Sequence, residues 1–112
     1  MKLKKGLSAL ILMVLSTSAF AAGSTGAAAP TGTEIDTYDQ ILAVNGNYAN
    51  PDGCGLTGVV VVQTSNANYK DMLAAILSAG VSQKQLGFWV SGCVYTPWGG
   101  TAALVVDVSV NF

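Results

Sequence analysis

The sequence lacks histidine and arginine altogether, and only 10% of its 112 residues are charged. Without histidine, the chain is missing the residue that most often supplies acid–base catalysis and zinc ligands. All five cations are lysines, and three of them (Lys2, Lys4 and Lys5) lie at the amino terminus. Because phosphate contacts require clustered cations, the composition excludes a basic nucleic-acid-binding module.

The acidic residues form no catalytic pattern. They are scattered along the chain, whereas a hydrolase needs paired carboxylates or a nucleophile beside a base. We therefore expect solvated surface carboxylates, no enzyme activity, no metal site and no cofactor. The six acids are Glu34, Asp36, Asp39, Asp52, Asp71 and Asp107.

Residues 1–21 have the pattern of a signal peptide. Three lysines precede an apolar run over residues 7–15, and small residues around Ala19 and Ala21 predict cleavage after Ala21. A membrane anchor is the alternative, but it needs about 20 apolar residues, which is more than this run provides. The pattern predicts export to the periplasm or the extracellular medium, without stable membrane insertion after cleavage.

Two cysteines, Cys54 and Cys93, follow the predicted signal peptide. Exported proteins meet an oxidising compartment in which paired thiols form disulfides, so we expect one bond between them. A redox pair is the alternative, but the two residues are not in a Cys-x-x-Cys arrangement. The spacing therefore indicates a structural disulfide.

The rest of the chain divides into two segments. Residues 22–33 are almost wholly Ala, Gly, Ser, Thr and Pro, a composition that predicts a flexible tail. Residues 34–112 carry the apolar positions of a single domain. Beyond residue 21 the formal charge is 2 − 6 = −4, from two lysines and six acids. Such a surface neither attracts nor strongly repels a neutral glycan or a protein.

Apolar periodicity predicts an α+β domain with one helix between strands. A valine run over residues 59–62 indicates a buried strand, and apolar residues alternate over 85–93 and 103–112. A stripe at the 3.6-residue period predicts a helix at about residues 66–79, ended by Gly80. The stripe consists of Tyr69, Met72, Leu73, Ile76 and Leu77. We expect either a small antiparallel sheet or an OB-like five-stranded barrel.

Three aromatic residues are the candidate ligand-binding residues. Trp89 falls on the polar side of its strand, and Tyr95 and Trp98 follow in or near the next loop. Exposed rings with neutral polar neighbours suit contact with sugars or proteins. The pattern predicts an exposed cluster of the three rings. Packing of either tryptophan against the sheet, the helix or another subunit remains an alternative.

Two segments carry a resemblance to known proteins. Residues 68–80, Asn-Tyr-Lys-Asp-Met-Leu-Ala-Ala-Ile-Leu-Ser-Ala-Gly, are followed by Phe-Trp-Val-Ser-Gly-Cys at 88–93. Over residues 52–112 the chain resembles small uncharacterised exported bacterial proteins that pair an early cysteine with a late Ser-Gly-Cys. In element order, helix and disulfide it also resembles the OB-fold B subunits of AB-type toxins, particularly the subtilase cytotoxin binding subunit. That likeness implies a five-stranded barrel, a homo-oligomeric ring and glycan recognition.

The functional expectation is an exported, non-catalytic domain that binds a glycan or a protein. The alternative is a small secreted or periplasmic inhibitor, or an accessory subunit of another protein. An oligomeric state would favour the first class, since inhibitors of this size are usually monomeric.

Overall fold

The computed structural model describes residues 22–111, which form six strands and one helix. The elements, in chain order, are β1 (Gly23–Ala28), β2 (Gly32–Asp36), β3 (Ile41–Asn45), β4 (Val59–Gln63), α1 (Tyr69–Ser82), β5 (Gln85–Tyr95) and β6 (Thr101–Asn111). The predicted signal peptide lies outside the described residues. The α+β class and the disulfide are confirmed.

The strands form one sheet in the order β1-β5-β6-β4-β3-β2. Neighbouring strands are antiparallel except β4 and β6, which are parallel. A parallel pair needs a crossover, and here α1 and β5 supply it. The small antiparallel sheet, one of the two expected arrangements, therefore differs from the structure in this one pairing.

The two edge strands are close in space because only residues 29–31 join them. Six strands in a flat sheet would set β1 and β2 about 24 Å apart, whereas the connection spans at most about 14 Å. The sheet must therefore curl. Two hydrogen bonds join β1 to the segment after β3: the Ala49 amide donates to the Thr25 carbonyl over 3.0 Å, and the Tyr48 hydroxyl donates to the Ala28 carbonyl over 2.9 Å.

Because β1 and β2 are joined by only three residues, they can be counted as the two halves of one bent strand. The sheet then has five strands, a parallel pair between the third and the fifth, and a helix before the fourth. This is the OB-like arrangement that the sequence predicts as one of its two alternatives.

Residues 22–33 differ from the expected flexible tail, because they form β1 and the start of β2. No large side chain holds β1. Instead its backbone pairs with β5, and its one buried side chain, Thr25, accepts a hydrogen bond from the Phe88 amide over 3.1 Å. Backbone pairing of this kind leaves no trace in apolar periodicity, which explains the missed strand.

The main core lies between the inner face of the curled sheet and α1, and a smaller buried cluster on the other face contains Ile41, Ala43, Val61 and Ala102. Alternate residues of β3 and β4 and apolar residues of β5 and β6 point inward, and Leu42, Val60 and Phe88 are almost fully buried. Helix α1 closes the core with Met72, Ile76 and Ala79. Full burial of one large apolar side chain stabilises the fold by about 1.5–3 kcal/mol.

The helix differs from its prediction at both ends. It begins after Asn68 and continues through Gly80 to Ser82. Gln83, in the left-handed region at φ 58°, ends it, and the next amide, Lys84, donates to the Ala79 carbonyl over 2.9 Å. A left-handed residue therefore does terminate the helix, but it is Gln83 rather than Gly80.

Candidate functional site

The three candidate aromatic residues are exposed but do not form one cluster. Their exposed fractions are 48% for Trp89, 86% for Tyr95 and 46% for Trp98. Trp89 and Trp98 line separate grooves with no lining residue in common. Trp89 and Tyr95 lie six residues apart on β5, a separation of about 20 Å. The prediction of a single cluster is therefore wrong, because an extended strand carries its residues apart.

The groove at Trp98, called here the Trp98 groove, has a volume of about 280 Å³. Its floor is the outer face of β3 and β4, and its wall is the tryptophan. Polar side chains from β2, β3 and the segment before β4 complete the rim. The lining residues are Glu34, Ala43, Asn45, Leu56, Thr57, Val59 and Trp98.

Strand register explains why these residues meet. Glu34 pairs with Ala43, and Asn45 pairs with Val59, so each pair points to the same outer face. The intervening residues, such as Val44, point into the core. A single alternation along β3 thus separates the groove residues from the residues of the inner core.

A tight turn presents Trp98. The Thr96 amide donates to the Gly100 carbonyl over 3.0 Å, and the Gly99 amide donates to the Thr96 carbonyl over 3.2 Å. Both glycines have positive φ, 87° and 83°, which other residues rarely adopt. The turn therefore depends on this Gly-Gly pair, and it holds Trp98 in place at the groove.

The segment that carries Leu56 and Thr57, beside the Trp98 turn, is held by a second set of contacts. The Asn50 amide group donates to the Cys54 carbonyl over 2.7 Å and accepts from the Cys54 amide over 3.0 Å. The Leu56 amide donates to the Thr101 carbonyl over 2.8 Å. These bonds fix the segment that carries Leu56 and Thr57.

The disulfide holds the Leu56 segment against β5. Cys54 lies two residues before Leu56, and its bond to Cys93 ties this segment to β5. Nearby, Asp52 accepts a hydrogen bond from the Gly92 amide over 2.6 Å. Cys54 and Cys93 thus hold the wall of the groove, a role that cysteine spacing alone did not reveal.

The second groove, called here the Trp89 groove, lies on the outer face of β1, β5 and β6. It also has a volume of about 280 Å³. Trp89 pairs with Ser24 on one side and Asp107 on the other, so the three residues form one row across the strands. Ser109 completes the polar lining.

One titratable group in the described part of the chain has a clearly shifted pKa. Burial raises the pKa of Tyr48 from 10.0 to about 12, because the ionised phenolate would lose its hydration. The ring packs edge-on against Phe88 at a centroid distance of 4.9 Å. Tyr48 therefore belongs to the core, where its hydroxyl is bonded to β1, and it lines neither groove.

Within residues 22–111, no group of three His, Cys, Asp or Glu side chains is arranged to hold a metal ion. The same residues include no helix long and apolar enough to cross a membrane.

Comparison with known proteins finds no significant match among family models, curated proteins or solved structures. The resemblance to small exported bacterial proteins and to toxin B subunits therefore stays a prediction.

Proposed function

We propose that this protein is an exported, non-catalytic binding domain that takes a neutral glycan in the Trp98 groove. The observation that carries the proposal is the groove itself, in which one half-exposed tryptophan faces hydrogen-bonding side chains across an apolar floor. A pyranose ring has apolar C–H faces and a hydroxyl rim, and it suits such a surface. Trp98 would stack on the sugar face, while Glu34 and Asn45 would bind hydroxyl groups.

The position of the groove within the fold supports binding. OB-folds bind oligonucleotides and oligosaccharides on the face of the second and third strands, beside the loop between the fourth and fifth. With β1 and β2 counted as one strand, these elements are β3, β4 and the 96–100 turn. The Trp98 groove occupies that place.

Charge favours the saccharide over the nucleic acid. The groove contains the carboxylate of Glu34 and no cation. Residues 22–112 carry two lysines and six acids, a formal charge of −4. Phosphate backbones need several cationic contacts, so this surface opposes an oligonucleotide.

The volume limits the ligand. About 280 Å³ lies just below the range of small-molecule sites, about 300–1,000 Å³. The groove therefore suits one sugar ring, either free or at the end of a longer chain.

Export is part of the proposal. The lysine-rich and apolar segment at residues 1–21 supports it, and so does the Cys54–Cys93 disulfide, since such bonds persist in oxidising compartments. The mass of the protein recovered from the periplasm or the medium tests this point. A mass lower by residues 1–21 is expected, and an intact chain retained in the cytoplasm would contradict it.

Glycan-array binding tests the ligand. The exported, oxidised protein is applied to a broad array, and any hit is measured in solution with Trp98→Ala. We expect at least about tenfold weaker binding in this variant, equivalent to about 1.4 kcal/mol. Tyr95→Ala is the matched control, because Tyr95 is a strongly exposed ring outside both grooves. A blank array with folded protein, or full binding by Trp98→Ala, would overturn the proposal.

A further inference from the structure

The Trp89 groove differs from the Trp98 groove in the chemistry that it offers. Its floor is the paired backbone of β5 and β6, and its row of side chains runs Ser24, Trp89, Asp107. Cross-strand neighbours have Cβ atoms about 4.5–5.5 Å apart, so the Asp107 carboxylate lies beside the indole. An aromatic face next to a fixed negative charge is an arrangement that attracts a cation.

A second hollow on the far side of Asp107 extends the negative surface. Asp107 and Val108 line both hollows, and the second also includes Asp71 from the first turn of α1. Neither Lys70 nor Lys84 lines either hollow. Two carboxylates therefore line these hollows, while Lys70 lines a neighbouring hollow on the other side of Asp71.

The other polar groups are partly engaged within the sheet. The Ser109 hydroxyl donates to the Gly87 carbonyl over 3.4 Å, and the Ser24 hydroxyl oxygen accepts from the Gly26 amide over 3.0 Å. The groups left to meet a ligand are mainly the indole face and the carboxylate. A hydroxyl-rich sugar would find few donors here, whereas a cation would find both an acceptor and a ring.

We infer that the Trp89 groove is a docking site for an arginine side chain of a partner protein. A guanidinium group is planar, stacks on aromatic rings and forms two parallel hydrogen bonds to one carboxylate. Trp89 would take the stacked face and Asp107 the paired N–H groups. The partner is a different protein, because this chain contains no arginine with which a second copy could fill the groove.

This site is independent of the proposed glycan site, since the two grooves share no lining residue. Loss of one function by mutation should therefore leave the other unchanged, and the failure of either proposal would not affect the other.

Titration followed by the two indole N–H signals in NMR tests the inference. The probes are N-acetyl-arginine amide and its neutral isostere N-acetyl-citrulline amide. Trp89→Phe and Trp98→Phe assign the signals. We expect the arginine probe to shift the Trp89 signal in a saturable, salt-sensitive way while the citrulline probe does not. Asp107→Asn should weaken the binding about three- to tenfold.

Asp39→Asn is the matched control, because it removes one negative charge at an exposed position outside both hollows. Its affinity for the arginine probe should equal that of the unmodified protein. An equal response to both probes, a larger shift of the Trp98 signal, unchanged binding by Asp107→Asn, or no shift with folded protein would each overturn the inference.

Discussion

Phe88 and Trp89 are consecutive residues on one strand, yet they belong to opposite sides of the molecule. Phe88 is 2% exposed and packs in the core, whereas Trp89 is 48% exposed and lines a groove. Since side chains alternate across a strand, one step along β5 separates a residue that stabilises the fold from one that is available for binding. At this point of β5 the inner face should therefore govern stability and the outer face recognition, although the outer face of β3 and β4 also buries an apolar cluster around Ala43 and Val61.

The largest expected effect is on the inner face. Phe88→Ala should lower the free energy of unfolding by about 3–5 kcal/mol, because it leaves a cavity beneath α1 and beside Tyr48. Urea unfolding measures the change. Trp89→Ala is the matched control, and its cost should stay below about 1 kcal/mol. Equal losses in the two variants would break the distinction between the faces.

Removal of the disulfide should have the next largest effect. The bond closes a separation of 39 residues. The double variant Cys54→Ala with Cys93→Ala should lose about 2–4 kcal/mol, because its unfolded chain gains conformational freedom. Urea unfolding of this variant is compared with the oxidised and the reduced parent protein. If the oxidised parent matched the double variant, the bond would contribute nothing to the stability of the fold.

Alkaline pH should weaken the inner face through Tyr48. Its pKa is about 12 in the folded protein and about 10 once unfolded, so the folded state retains a proton that the unfolded state loses. Stability attributable to Tyr48 is intact below pH 10 and falls by roughly 2 kcal/mol as the pH rises to about 12. Unfolding measured between pH 8 and about 12 shows the loss. Tyr48→Phe should abolish this part of the dependence, and an identical pH profile would contradict it.

The smallest expected effect concerns the contact between β1 and β5. Thr25→Val should cost about 1–2 kcal/mol, because the buried Phe88 amide loses its acceptor. Faster hydrogen exchange of that amide and a lower urea midpoint report the change. Thr25→Ser keeps the hydroxyl and should retain most of the protection. Slow exchange in Thr25→Val would show that backbone pairing alone holds β1.

Strong local patterns made much of the fold predictable. Burial of one face of an element against its neighbour places apolar residues at a characteristic spacing in the sequence. This applies to the valine run at 59–62, the apolar stripe of α1 and the alternation around Phe88. The strand at 23–28 has no such period. It is held by backbone hydrogen bonds and by Thr25, so its composition is that of a tail.

The sites were predictable only in part. The alternation along β5 indicated that Trp89 leaves the core, and the Gly-Gly turn indicated that Trp98 lies near the surface. The residues that line each groove together with its tryptophan could not be predicted from the sequence. Glu34 and Asn45 are distant from Trp98 in sequence and reach it only through the pairing of β2 with β3 and the curl of the sheet.

The amino-acid sequence by itself determined much of the apolar core, the pairing of the two cysteines and one helix between strands. Each of these is a local or compositional property, because apolar periodicity and the number of cysteines can be read from the sequence without knowing which distant residues are in contact. The sequence did not determine every buried position, since Leu77 of the predicted stripe is 43% exposed and Thr25 of the predicted tail is buried. Tertiary structure alone decided that residues 23–28 become a strand and that the two tryptophans line different grooves. Those outcomes depend on how far-apart strands pair, and hydrogen bonds between backbones carry almost no side-chain signature.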